Sequence, residues 1–272
     1  MRHFLLALIF LMVSCGEKSS AQDKREKVYW MFFDLPHVVN LRGEGPPGYL
    51  LEVHQLLTQQ MPEYTHQVIE VPFIRIMQQM KKAQKVCTLM ILQTPEREAF
   101  MEFGTPLMEG FPIGVIARKD NRKLSKYIPE PHIVDFVKVM EDKKISLGIV
   151  ANRFHGKTIT ELLDKRNKSG ITLRKGTNTD LEMKSLVHLR RLDLYLGYPF
   201  EVRNDPKLAF YFIKGGVELL GPRVSCEKTE FGKKIIARTE EIRKRGKLKP
   251  QLAAIYKKYY SKELQEAVIR NR

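Results

Sequence analysis

Residues 86–106 read Val-Cys-Thr-Leu-Met-Ile-Leu-Gln-Thr-Pro-Glu-Arg-Glu-Ala-Phe-Met-Glu-Phe-Gly-Thr-Pro. Val86 to Leu92 carries no charge, the pattern of a central strand buried on both faces. Thr94 then supplies a side-chain oxygen for a helix N-cap, Pro95 a first-turn residue with fixed φ, and Glu96 and Glu98 first-turn acids. A buried strand running directly into a capped helix is the carboxyl half of a βα unit, so this stretch points to an α/β fold. Arg97 sits in that first turn.

The same rhythm extends outward. Upstream, Val28 to Phe33 reads as a strand, a Gly/Pro-rich loop covers 40–48, and Leu50, Val53, Leu56 and Leu57 recur at helical spacing. Gln67 to Val71 is a short strand, and Phe73, Ile76, Met77 and Met80 mark another helical stripe. Downstream, Ile113 to Ala117 is strand-like, residues 118–131 are charged and exposed in pattern, and a second α/β unit follows. Its strands are expected at 145–150, 171–173 and 192–196, and its helices at 157–163 and 181–189. Phe231 to Arg245 is helical, broken by Gly246 to Pro250, with further helices expected over 251–260 and 262–269.

The 272 residues are 43% hydrophobic and 29% charged, which fits one large globular unit or two modest lobes and excludes disorder throughout. The net charge is +16, and residues 227–272 hold 14 Lys or Arg against 6 Glu. Those cations alternate with helix-spaced apolar residues and carry no nucleic-acid reader motif, so no nucleic-acid partner is expected.

Phe4 to Val13 is an unbroken apolar core behind Arg2 and His3, the form of an export signal and too short to span a bilayer. Two processing sites are open. Ser19-Ser20-Ala21 suits cleavage before Gln22, giving a signal over 1–21. Met12-Val13-Ser14-Cys15 resembles a lipoprotein box, giving a signal over 1–14 and a lipid anchor on Cys15.

Catalytic and cofactor signatures are absent: no GxSxG elbow, no HExxH, no Walker loop and no Rossmann glycine fingerprint occur. The histidines are scattered, so no metal site is expected, and no cofactor either. Asp34 and Glu44 flank the Gly/Pro loop without a spacing that sets them apart from surface acids.

Thr94-Pro95-Glu96-Arg97 followed by Phe103-Gly104-Thr105-Pro106 resembles the Thr-x-x-Arg and Phe-Ser-x-Pro segments of bacterial extracellular solute-binding proteins of family 3, the type 2 periplasmic binding protein fold. Phe33 to Pro36 and Gly48 to Val53 are similar to that family's opening. Met61-Pro62-Glu63-Tyr64 and Cys226 to Lys234 resemble segments of one branch of the superfamily. The resemblance covers nearly all of 28–270 and implies an α/β fold of two lobes, each a mostly parallel sheet flanked by helices. Lobe I is expected over 26–112 and 225–272, and lobe II over 113–224.

The resemblance also implies a role: an exported, periplasmic or envelope protein, not an enzyme, that binds a small polar solute. Its expected partner is a membrane permease or a sensor, and the protein itself is expected to be a monomer. Arg97 is the implied carboxylate clamp, with Thr94 beside it; the competing reading of Arg97 is a surface cation paired with Glu96 or Glu102. Trp30 and Phe33 are candidate cleft aromatics, with burial in the core as the alternative for each. The family's second-lobe acid, which receives an amino acid's ammonium, falls near Tyr198 here; Glu201 is the nearest substitute, so an ordinary amino acid ligand is in question. The remaining alternatives are a non-binding envelope scaffold and an envelope enzyme on the same fold. Cys87, in a central strand, and Cys226, where the chain returns to lobe I, are expected to form a disulfide in an oxidising compartment.

Overall fold

The computed structural model describes residues 24–259 apart from 36, 42, 44, 83, 152, 154, 167–169, 176–178, 203–204 and 216–220. The signal segment with Cys15 and its two processing sites, Glu44, and the helix expected over 262–269 lie outside the described residues.

The chain begins with β1 (Glu26–Phe32), α1 (Tyr49–Thr58), β2 (Tyr64–Glu70), α2 (Phe73–Met80), β3 (Val86–Thr88), α3 (Pro95–Glu98) and β4 (Met101–Phe103). It continues with β5 (Gly114–Arg118), α4 (Arg122–Ser125), β6 (Ile133–Val134), α5 (Phe136–Glu141), β7 (Leu147–Val150) and α6 (Lys157–Lys165). Next come β8 (Ile171–Arg174), α7 (Thr179–His188), β9 (Leu194–Gly197), a 3-10 turn at Pro199–Val202 and β10 (Leu208–Ile213). The chain ends in β11 (Ser225–Glu227), α8 (Glu230–Arg245) and α9 (Lys249–Tyr259).

Two sheets result, in the orders β2-β1-β3-β11-β4 and β6-β10-β5-β9-β7-β8. Each is mixed. The parallel pairs β1 with β2 and β3, and β7 with β8 and β9, are joined by helical crossovers, as parallel neighbours require, and β6 also runs parallel to β10. The antiparallel pairs involve β5, where the chain enters the second sheet, and β11, where it re-enters the first.

Strand alternation decides what β1 does. Val28, Trp30 and Phe32 lie on one face and are fully buried in the core that includes Leu50, Val53 and Leu57 of α1. Tyr29, Met31 and Phe33 point to the other face, with Ile76 and Met80 of α2. Gly48, just before α1, has φ 89°, and a side chain there would meet the Val38 carbonyl carbon at 2.6 Å. Only glycine both takes that conformation cheaply and admits so close a backbone approach.

The apolar run after β3 leaves the sheet at Thr88. Leu89 and Ile91 stay buried, but no ladder partner accompanies them, because the segment turns to deliver the Thr94 cap. Cys87 and Cys226 stand directly opposite one another on antiparallel β3 and β11, with Cα atoms 4.1 Å apart, and they form the expected disulfide. Phe111 and Phe200 carry the packing from one sheet to the other: Tyr49 at the start of α1 meets Phe111 at 4.9 Å and Phe200 at 5.9 Å between ring centroids. Tyr256 and Tyr259 of α9 close the same aromatic cluster.

Candidate functional site

In open α/β sheets ligands bind beyond the carboxyl ends of parallel strands. Two polar groups lie there, one in each lobe.

The first-lobe group follows β1 and β3. Thr94 caps α3: its Oγ1 accepts from the Arg97 backbone N–H at 3.4 Å, and Pro95 fills the first helical position. The Arg97 side chain is half-buried. Its Nη1 donates to the Leu92 carbonyl oxygen at 2.7 Å, and its guanidinium lies 5.8 Å from the Phe73 ring centroid. Phe73 meets Phe33 edge to face at 6.0 Å. The Phe33 backbone N–H points at Met90 Sδ, 3.3 Å away. Among the described residues no carboxylate forms an ion pair with Arg97, and its Nε and Nη2 have no acceptor. Burial lowers its pKa, while the nearby Glu96 charge works in the opposite direction. The surface pairing with Glu96 or Glu102 is therefore not made.

Trp30 does not line this site. It is 0% exposed, its Nε1 donates to His66 Nδ1 at 3.0 Å, and its ring stacks edge-on against His54 at 4.8 Å. Because Trp30 and Phe33 are three residues apart on one strand, they face opposite sides of the sheet, and only Phe33 shares a face with Arg97's neighbours. Gly104, which stands where the family pattern has Ser, lies against α8: a side chain there would meet Glu240 Oε1 at 3.3 Å and the Val224 carbonyl oxygen at 3.4 Å.

The second-lobe group lies beyond β7 and β9. Glu201 in the 3-10 turn accepts the Arg153 Nη1–H at 3.2 Å and the Tyr198 backbone N–H at 3.0 Å, both through Oε1. Its Oε2 is buried, as is the Tyr195 hydroxyl that interacts with the Glu201 carboxylate. Arg153 lies over the Tyr198 ring, 5.3 Å from its centroid, and Tyr198 stacks on Phe200 at 5.3 Å. Desolvation raises the Glu201 pKa, and the Arg153 charge pulls it back. Glu201 is thus paired with an arginine of its own lobe.

No hydrogen bond, ion pair or ring contact joins Arg97 to Glu201 among the described residues. Sequence reading misses Arg153, and it gives Phe73 only as part of a helical stripe. The signal that would have found Arg153 is its place three residues past a parallel strand end. Asp193 of the Arg190–Asp193 segment braces the framework of its own lobe, since its Oδ2 accepts from the Ser146 N–H and hydroxyl at 2.8 and 2.9 Å. Among the described residues no group of three or more His, Cys, Asp or Glu is placed to hold a metal, and no helix is long and apolar enough to cross a membrane.

No protein-family model and no curated protein sequence matches the chain. Solved structures match its fold. The chain has the two-lobed architecture of type 2 periplasmic binding proteins. One similar structure is a probable amino-acid ABC transporter extracellular-binding protein of Bacillus subtilis: TM-score 0.65, 15% identity, covering 87% of this chain and 98% of that one. A Salmonella typhimurium periplasmic binding protein described for high arginine specificity gives TM-score 0.62 at 15% identity, covering 87% of this chain and 100% of that one. The BvgS VFT2 domain of Bordetella pertussis gives TM-score 0.63 at 12% identity, covering 86% of this chain and 93% of that one.

Proposed function

We propose that this is an exported solute-binding protein that captures a small polar, carboxylate-bearing solute between its two lobes and hands it to a membrane permease or a sensor. The observation that carries the reading is Arg97. A half-buried guanidinium, anchored by one donor to the Leu92 carbonyl and flanked by Phe73, keeps its remaining donors without an acceptor among the described residues. Buried charges are costly unless paired, so the partner is expected from outside the chain. Phe33 and Phe73 supply the apolar wall that solute sites use to fix orientation. The similar solved structures support the same role, since they include amino-acid and arginine binding proteins of transporters. An envelope location follows from this reading together with the apolar N-terminal segment.

Calorimetry on the purified protein with amino acids, short peptides and dicarboxylates tests it. A ligand that binds the parent and is lost in Arg97→Ala is the expected result. A ligand bound equally well by both sinks the clamp assignment.

A further inference from the structure

Resting on that reading, we infer that Arg153 is the specificity-determining residue of the second lobe: it fills from within the chain the place a solute's cationic group would take, and so selects solutes that carry a second anionic group.

The surroundings of Arg153 are those that recognise a foreign guanidinium or ammonium. A carboxylate, Glu201, pairs with it at 3.2 Å, and an aromatic face, Tyr198, lies beneath it at 5.3 Å. Carboxylate and aromatic face together are the two attractions that hold a cation out of water. Both are already spent on a residue that cannot leave and does not deprotonate. The pair is also ordered in depth. Glu201's side chain is 6% exposed and Arg153's is 12%, so the cation is the outer member. Glu201 Oε2 is shut in against Gly197, where an added side chain would lie 2.7 Å from it.

What remains for a solute is the guanidinium. Arg153 spends Nη1 on Glu201, and its Nε and Nη2 have no acceptor among the described residues. Asp180, the other acid that Arg153 feels, sits in the first turn of α7, where the free helix N–H groups offset its charge. The two lobes therefore present one partly unsatisfied guanidinium each, Arg97 and Arg153. Two forks of that kind match a solute with two carboxylates better than an amino acid, whose ammonium would meet Arg153 as a like charge.

The test is calorimetry of the full chain with succinate, glutarate, L-alanine and L-arginine, on the parent and on Arg97→Ala, Arg153→Met and Arg153→Met/Glu201→Gln. Thermal melts establish that each variant is folded. The double variant removes both charges of the buried pair and carries the test should the single one not fold. The parent is expected to bind a dicarboxylate at least about tenfold more tightly than either amino acid. Arg153→Met loses that margin and gains L-arginine, because Glu201 is released. The double variant loses the margin without the gain. If the order of affinities is unchanged in the folded Arg153 variants, or the parent prefers an amino acid, while Arg97→Ala still abolishes binding, this inference fails and the proposed function stands. If no probe binds the parent, or Arg97→Ala binds as the parent does, the carboxylate-clamp reading fails and takes this inference with it.

Discussion

The two lobes handle an arginine at a strand end in opposite ways. In the first lobe Arg97 is tied to a backbone carbonyl and meets no carboxylate among the described residues; in the second Arg153 is held by Glu201 and stacked on Tyr198. The difference follows from where each residue sits. Arg97 rides on a capped turn that a buried strand delivers, and its neighbours are aromatic. Arg153 rides on the connection after β7 and meets a turn that carries its own acid. The lobes also differ in how they are closed. The second sheet is built from one continuous stretch, whereas the first is completed by β11, which returns after the whole second sheet has been laid down and is fastened to β3 by the disulfide.

The largest expected effect breaks that closure. The Cys87–Cys226 bond spans 139 residues, and a loop of that size constrains the unfolded chain by about 5 kcal/mol in the chain-entropy account. Reduction, or Cys87→Ser with Cys226→Ser, is expected to remove most of it. Native-state hydrogen exchange reads it: amides of β1 and β3 lose protection, and those of β7 and β8 keep it. Equal loss in both sheets would mean the lobes unfold as one unit.

Binding comes next. Truncating one partner of a buried charged pair costs about 2–5 kcal/mol, so Arg97→Ala is expected to weaken solute binding by roughly 30-fold to several thousand-fold. Arg97→Lys recovers only part of this, because an ammonium lacks the planar fork. Calorimetry against the parent's best ligand decides it.

Acid treats the lobes alike through one histidine each. His54 in the first lobe and His155 in the second are buried, and desolvation holds both pKa values down to about 4; His66 adds to the effect on His54, and Arg153 to that on His155. An unfolded imidazole takes up its proton near pH 6.5, so between about 6.5 and 4 the unfolded chain binds more protons than the folded one. Stability is therefore whole above about pH 6.5 and falls as pH drops towards 4, by up to about 3 kcal/mol per histidine. Denaturant melts across that range check it, and His54→Phe is expected to flatten the first-lobe share.

The smallest effect concerns the cap. Thr94→Ala removes a long N-cap bond and is expected to cost about 0.5–1 kcal/mol of stability. It should weaken binding less than Arg97→Ala; a larger loss would give the Thr94 hydroxyl a direct part in holding the solute.

The candidate group around Arg97 was legible because it is nearly contiguous. Strand, cap and arginine follow one another within 86–97, and local rules suffice to read them. The fold class was legible from the alternation of apolar runs and helical stripes. Other features were not, each for a physical reason. Alternation along β1 separates Trp30 from Phe33 but cannot say which face is the core; α1 and α2, packed on opposite sides, decide that. Val86 to Leu92 reads as one strand, yet only Val86 to Thr88 finds a ladder partner. β10 is a short apolar run, Leu208 to Ile213, that local rules could have read as a strand; its place between β5 and β6 comes only from the fold. The Arg153–Glu201 pair joins residues 48 apart, so only the fold reveals it.

Trp30, the only tryptophan in the chain, lies at 0% exposure with its indole N–H bonded to His66. The protein thus carries a single intrinsic fluorophore excitable at the red edge, sealed in one lobe and away from the crevice. Its emission is expected to be blue-shifted and hard to quench with iodide. Solute capture should leave the spectrum nearly unmoved, and melting of the first-lobe core should shift it to the red, so a fluorescence titration would be silent even for a tight ligand.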